Sequence, residues 1–399
     1  MPPPALPPLV PCSPSSKGPL MTVTLEQPPA QQEVPARTVT GVLDIDQHGK
    51  GHLRAAGCLS SPADLQVGPA LVRRYGLRRG DTVVGTPAGR SLTEVESVNG
   101  RSPQELRHRP HFRDLTPLHP SRRLRLEHPA AGLSGRVLDL VSPVGKGQRG
   151  LIVAPPKTGK TVLLQQIAAA LAGNHPECHL MVVLLDERPE EVTDMRRSVD
   201  GEVYASTFDR TPKQHIALAE LVVERAKRLV EQGEDVVILL DSLTRLCRAH
   251  NNVAAAGGRT LSGGVDAAAL HGPKRLFGAA RLAEEGGSLT ILATALVETG
   301  SRADAYFFEE LKSTGNMELR LDDALASRRV YPAVDITSSG TRREELLLPA
   351  RELTAVRGLR RALQSREGQA NLETLLERMR ATPDNAAFLR LVQPTLPVG

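Results

Sequence analysis

The chain has 399 residues, 40% of them hydrophobic and 24% charged, with a formal net charge of +5. That length admits two domains and a sizeable core, and the composition excludes a disordered or fibrous protein. No apolar run approaches the roughly 18 residues of a membrane span, and the N-terminus lacks the basic-then-apolar pattern of a signal peptide. The four cysteines (Cys12, Cys58, Cys178 and Cys247) stand too far apart to form a metal-ligand pair. They read as reduced thiols of a cytoplasmic protein.

Residues 1–36 hold eleven of the 31 prolines and almost no periodic apolar pattern, so a disordered tail is expected there. Residues 37–99 change character. Thr38–Ile45 alternates like a strand, and further short strands are expected at Gly51–Arg54, Leu65–Val67, Asp81–Gly85 and Leu92–Val98. Short strands punctuated by Gly and Pro indicate a small β-barrel. Lys50, Arg54, Arg73, Arg74, Arg78, Arg79 and Arg90 stud it, while Tyr75 is its one aromatic. A basic barrel can bind single-stranded nucleic acid, but without stacking aromatics a solvated basic face stays equally open. Residues 100–133, rich in Pro, His and Arg, read as a linker packed on the surface.

From 134 to 399 the pattern alternates strand and helix. Apolar strands are expected at Leu151–Val153, Met181–Leu185, Val236–Leu240 and Leu289–Ala293, and helices at Ile216–Glu231, Pro273–Glu284 and through most of Glu352–Leu391. This alternation implies a parallel sheet with helices on both faces. The first of these strands runs into Ala154-Pro155-Pro156-Lys157-Thr158-Gly159-Lys160-Thr161, followed by Val162, Leu163, Ile167 and Leu171 at helical spacing. Strand, Gly-Lys-Thr loop and helix make a P-loop. A triphosphate needs backbone N–H groups converging on its oxygens, and a helix N-terminus supplies them. Gly159 permits close approach, Lys160 reaches the β- and γ-phosphates, and Thr161 offers a hydroxyl to Mg²⁺.

Two more apolar strands end in acids, at Asp186-Glu187-Arg188 and at Asp241-Ser242. Ligands of open α/β sheets gather at the carboxyl ends of strands. Glu187 is therefore the candidate for activating the attacking water, and Asp241 for holding Mg²⁺. Two glycine-rich loops each carry one cation, Arg259 in Gly257–Asp266 and Arg302 in Glu298–Asp304. They suit contacts with a nucleic-acid backbone, or are mobile surface loops. Arg328, Arg329, Arg342 and Arg343 stand far in sequence from the P-loop. Spacing alone does not separate a trans-acting arginine from a surface one.

The runs GQRGLIVAPPKTGKT, LLDERPEEVTDM, ILLDSLTRLCRA, LSGGVDAAAL, GAARLAEEGGSLTILATAL, TGNMEL and SGTRREELL closely resemble the bacterial transcription termination factor Rho family, from about Leu115 to Leu347. The resemblance weakens in the barrel and is absent from residues 1–36. It implies a RecA-like P-loop NTPase domain (134–399) preceded by an OB-fold, cold-shock-like barrel (37–99). It also implies a homohexamer with ATP between neighbours, moving 5′ to 3′ on the nascent single-stranded transcript and dislodging the RNA polymerase elongation complex. No membrane association and no stable DNA binding are expected. By position, Pro156, Lys157, Thr158, Gly159, Lys160, Thr161 and Val162 resemble the phosphate loop. Arg188 lies beside the water-activating acid and Arg245 one turn beyond the Walker B acid. Arg342 resembles the trans-acting arginine finger, Arg329 a second phosphate-sensing arginine, and Tyr331 an adenine-stacking aromatic. Arg259, Thr260, Gly263, Gly264 and Val265 resemble the Q-loop and Arg302 lies in the R-loop, both gripping RNA in a central channel. The family commonly has lysines where Arg259 and Arg302 stand, so charge is kept while geometry differs.

The barrel departs further from the family. Where a Gly-Phe-Gly-Phe-type strand is usual, this chain has Gly49-Lys50-Gly51-His52-Leu53-Arg54, and a further aromatic position is Gln66. Base stacking contributes roughly 1–3 kcal/mol per base, so pyrimidine selection should weaken, while Lys50, His52 and Arg54 could still hold phosphates. That departure leaves open an alternative, a divergent paralogue acting as a regulatory RNA- or polymerase-binding ring with altered loading preference.

Overall fold

The computed structural model describes residues 38–106, 108–254, 260–364 and 368–395. The expected proline-rich tail and Arg259 lie outside them. The first strands are β1 (Val39–Ile45), β2 (Gly51–Arg54), β3 (Leu65–Val67), β4 (Thr82–Ala88) and β5 (Ser91–Val98), and they close a barrel in the order β1-β2-β3-β5-β4. Leu43, Leu53, Val67, Val83, Leu92, Val95 and Val98 point inward to fill it; in β5 the inward residues fall three apart, because the register with β4 shifts twice. Closure is tight at Gly51, where an added Cβ would lie 2.9 Å from both Leu43 Cδ1 and Val67 Cβ. The small OB-fold-like barrel expected from the sequence is therefore present, with strand bounds within a few residues of expectation.

The larger sheet is built on β6 (Arg149–Ala154), β7 (Cys178–Glu187), β8 (Glu202–Thr207), β9 (Asp235–Asp241), β10 (Ser288–Leu296), β11 (Met317–Leu321) and β12 (Val334–Thr341). Its order is β8-β7-β9-β10-β6-β11-β12. Every ladder from β8 to β11 is parallel, and only the edge strand β12 on this path runs antiparallel. Both faces are covered, so the central strands β7, β9, β10 and β6 are largely apolar rather than alternating, while β8, β11 and β12 toward the edges alternate. In β9, Val237 and Leu239 join the core on one face, and Val236, Ile238 and Leu240 the core on the other.

Two expectations need correction. The helix expected over Pro273–Glu284 stops at Phe277, and Arg281–Ala283 form a strand against the start of β10. Gly278 closes the helix, its N–H bonded to the Lys274 carbonyl, and Gly286 and Gly287, at φ 111° and 76°, turn the chain back. Helical periodicity could not register this, because Leu282 and Ala283 satisfy either pattern. The 100–133 segment is also more than a surface linker. Phe112, Leu115, Leu124 and Leu126 are all buried in the cores flanking the sheet.

A buried ionic cluster joins barrel and sheet domain. The helix Pro212–Val230 is followed by Glu231, whose side chain is fully buried. Glu231 accepts from Arg78 Nη1 and lies beside Arg228 Nη2, both at 2.9 Å, and accepts from the Phe112 amide at 2.8 Å. Arg109 pairs with Asp81 at 2.5 Å and lies 3.9 Å from Glu231. Arg79 bridges Asp44 and Glu220. Gly80, at φ 91°, presses on the same helix, since an added Cβ would lie 2.4 Å from the Glu224 carbonyl carbon. Of the basic residues that stud the barrel, Arg54, Arg78 and Arg79 are thus spent on carboxylates.

Breaking a buried ion cluster by removing one partner strands the others without compensation. Glu231→Ala should lower the unfolding free energy by about 3–5 kcal/mol, measured by denaturant titration, while Glu220→Ala on the half-exposed Arg79 pair should cost under about 1 kcal/mol.

Candidate nucleotide site and nucleic-acid loops

The phosphate loop leaves the end of β6 at Ala154, and the helix Lys160–Asn174 starts with Gly159 as its N-cap. Gly159 has φ 87° and Lys157 φ 66°, a left-handed pair that reverses the chain. The buried Thr158 hydroxyl ties the loop by donating to the Pro155 carbonyl at 2.8 Å. No side chain caps this helix, so its first-turn N–H groups face outward for an anion. Beside them lies Tyr331, whose ring carbon Cε1 would sit 3.3 Å from a Cβ on Gly159. A cleft of about 490 Å³ opens here, lined by Lys157, Gly159, Val162, Gln166 and Tyr331 among others. Val162 and Tyr331 keep 56% and 40% of their surface exposed, apolar area suited to a flat aromatic base.

The acids expected at the strand ends come together around Lys160. Its ammonium lies 2.5 Å from both Asp241 carboxylate oxygens and 3.4 Å from Glu187 Oε1. Arg245 reaches the same group from the following helix, 3.2 Å from Glu187 and 3.6 Å from Asp186. Thr294, on the neighbouring strand β10, donates to Asp241 at 2.8 Å. Burial pushes the Glu187 carboxyl above the usual range, and the Asp241 charge pushes it further, against the pull of Lys160 and Arg245. A register shift between Leu185 and Glu187 turns Asp186 (φ 57°) out of the ladder. Arg188 points to solvent, 70% exposed. Thr161 and Asp241 offer the oxygen ligands that a nucleotide-borne Mg²⁺ takes. Among the described residues no group of three or more His, Cys, Asp or Glu could hold a metal by itself. Sequence reasoning missed Thr294; its trace is a lone hydroxyl in the otherwise apolar end of β10.

The two glycine loops, far apart in sequence, lie against each other. Thr260–Leu261 pairs with Val265–Asp266, and a Cβ on Gly263 would lie 2.8 Å from Arg302 C and Ala303 N. Asp304 anchors the second loop, accepting from Arg248 Nε at 2.9 Å and Thr299 at 2.6 Å. Thr260, Gly263, Gly264 and Arg302 are exposed. Val265 is fully buried, so its side chain is not available to an RNA strand. On the barrel, Lys50 and Gln66 are exposed and His52 pairs across the strands with Gln66. Arg54 is held by Asp44 at 2.8 Å and Asp64 at 2.5 Å, so a phosphate would have to compete with two carboxylates.

Arg329 is exposed at φ 62°, just past the helix Asp323–Ser327 and two residues before Tyr331. Arg342 is elsewhere. It follows β12, where Thr341 pairs with Met317 and Met317 with Gly150, at the amino end of β6. Gly150 to Ala154 is about 13 Å of strand at ~3.3 Å per residue, so Arg342 occupies the edge opposite its own phosphate loop.

A buried carboxyl whose native pKa is raised binds its proton more tightly folded than unfolded. Its destabilising ionisation is absent below the ordinary carboxyl range and grows as pH rises through the raised value. Glu187→Gln should therefore raise Tm at neutral pH, and the gain should vanish in scans run below about pH 4.

Comparison with known proteins bears on the same two regions. Residues 134–341 match the model of the ATP synthase alpha/beta family nucleotide-binding domain, and residues 39–104 that of the Rho termination factor RNA-binding domain. Transcription termination factor Rho of Streptomyces coelicolor is 75% identical over 380 residues, 95% of this chain and 91% of that protein. The Streptosporangium roseum protein of the same name is 60% identical, covering 92% of this chain and 96% of its own. Among solved structures, a type III secretion system ATPase of pathogenic bacteria superposes at TM-score 0.57 and 24% identity, over 70% of this chain and 77% of that one. The assembled ATPase EscN of enteropathogenic E. coli does so at TM-score 0.57 and 23% identity, over 73% and 67%. At such identities the likeness is one of fold.

Proposed function

The chain belongs to the transcription termination factor Rho family, and from that premise we propose that it is an ATP-driven RNA translocase that terminates transcription by pulling on the nascent strand. RNA binding, nucleotide binding and ATP hydrolysis come with the family. The finer reading, 5′–3′ helicase movement by a homohexamer acting on RNA polymerase in the cytoplasm, is ours. The observation that carries it is the pair of opposed edges. Lys160, Glu187 and Asp241 converge at one end of the parallel sheet, while Arg342 stands exposed at the other. A head-to-tail ring joins the two ends and completes the site between copies.

In this reading the adenine rests against Tyr331 and Val162, and the triphosphate lies over the uncapped helix start, where Lys157 and Thr158 flank it. Phosphate oxygens draw Lys160 away from Asp241, and Asp241 and Thr161 are the residues that would hold Mg²⁺, which when bound would neutralise phosphate charge. Glu187 takes a proton from the water that attacks the γ-phosphorus as the bond to the β-bridging oxygen breaks, leaving ADP and phosphate. Its raised proton affinity suits it to that task. Arg245, already bound to Glu187, keeps the acid oriented. Arg342 of the adjacent copy stabilises charge on the transferring group, with Arg329 and Arg188 near the phosphates. Arg259, Arg302 and the Thr260–Gly264 turn grip RNA in the channel, and Lys50, His52, Arg54 and Gln66 meet it first on the barrel.

Lys160→Ala should abolish hydrolysis. Arg342→Ala should leave ATP affinity within about threefold and cut turnover by ~10³ or more, read by equilibrium nucleotide binding alongside RNA-stimulated ATPase; full turnover in Arg342→Ala would end the shared-site reading. Titration with cytidine-rich and adenine-rich RNA should stimulate turnover with a smaller preference than a stacking barrel gives, and no stimulation by either RNA would rule out the motor.

A further inference from the structure

Nearly every partly buried arginine in this chain is matched by a carboxylate. Arg54, Arg78, Arg109, Arg225, Arg228, Arg245 and Arg248 each have one within ion-pair distance. Burying an unpaired charge is costly, which is why pairing is the rule. Arg149 and Arg281 break it. Both are half-buried, and among the described residues their side chains bond only to backbone carbonyls: Arg149 to Thr314 and Ala280 at 2.9 and 3.1 Å, Arg281 to Ala279 at 3.1 Å. Arg281 also stacks on the Phe112 ring, 4.7 Å from its centroid. Carbonyls and a ring face orient a guanidinium without cancelling its charge.

Both arginines lie at the sheet edge that carries Arg342. Asn316 ties two of them together: its side-chain oxygen accepts from the Arg149 amide at 2.8 Å, and its backbone oxygen from the Arg342 amide at 2.9 Å. Arg342 itself is exposed and has no ion-pair partner among the described residues. Burial disfavours the charge on Arg149, and the like charges of Arg281 and Arg342 add to that. An edge with three uncancelled cations invites a polyanion, and the one whose charge the P-loop edge cannot balance alone is a nucleoside triphosphate, met there chiefly by Lys157 and Lys160.

We propose that Arg149 and Arg281 are positioning residues for the shared site: their unneutralised charges hold Arg342 outward and draw the phosphates of the adjacent copy's nucleotide onto this edge. The inference rests on the between-copy reading above. It assigns the two arginines a role through Arg342 and through the field, not contact with the reacting atoms.

The test compares Arg149→Gln, which keeps a donor for the two carbonyls and loses the charge, with Arg149→Lys, which keeps the charge. Arg342→Gln serves as the reference. ATP-dependent turnover on RNA is measured with ATP varied, and assembly driven by ADP with aluminium fluoride is followed by sedimentation at low and high salt. Arg149→Gln should raise the KM for ATP about five- to tenfold and flatten the salt dependence of assembly, with Arg149→Lys within about twofold of wild type in both. Wild-type behaviour of Arg149→Gln beside an impaired Arg342→Gln overturns this inference alone. So does an Arg149→Lys variant as poor as Arg149→Gln, which would mean that the carbonyl bonds matter and the charge does not. Wild-type behaviour of Arg342→Gln overturns the between-copy reading beneath it.

Discussion

The common direction of the parallel ladders decides where charge can sit in this protein. The central strands, buried on both faces, leave no room for charged groups along their length, so their acids and arginines collect at the strand ends. At the carboxyl ends the loops bring Lys160, Glu187, Asp241 and Arg245 within hydrogen-bond or ion-pair distance of one another. At the amino ends the same constraint gathers Arg149, Arg281 and Arg342. A cluster of acids around one lysine at one end and uncancelled arginines at the other suits the head-to-tail assembly proposed above.

The barrel depends on the same frame through one helix. Pro212–Val230 begins beside the strand end that carries Glu187, where Ser206 and the buried His215 lie 2.7 Å apart and the Phe208 amide bonds to the Glu187 carbonyl. It ends at Glu231, buried among Arg78, Arg109 and Arg228. One rigid element thus touches both the hydrolytic edge and the RNA-binding barrel. Seating the barrel consumes Arg78 and Arg79, which composition alone offers to RNA, and Arg54 is held within the barrel itself. What remains exposed on the β2–β3 face, Lys50 and Gln66, is modest for a loading surface.

The phosphate loop, the two acid-ended strands and the closed barrel were legible from residue order, because each rests on local physics. Period-two and period-3.6 patterns, a glycine at a left-handed turn and an acid after an apolar run all act within a few residues of one another. The strand bounds were close for the same reason. Tertiary structure alone decided the rest. It set Thr294 on Asp241, buried Val265, converted Arg281–Ala283 from helix to strand, and drew the 100–133 segment into the core. It also decided which arginines are cancelled and which stay free, since Arg149 and Arg78 look alike in a sequence. Whether a guanidinium meets a carboxylate depends on groups brought close by folding, such as Glu231 and Arg78, 153 residues apart, and no local pattern carries that information.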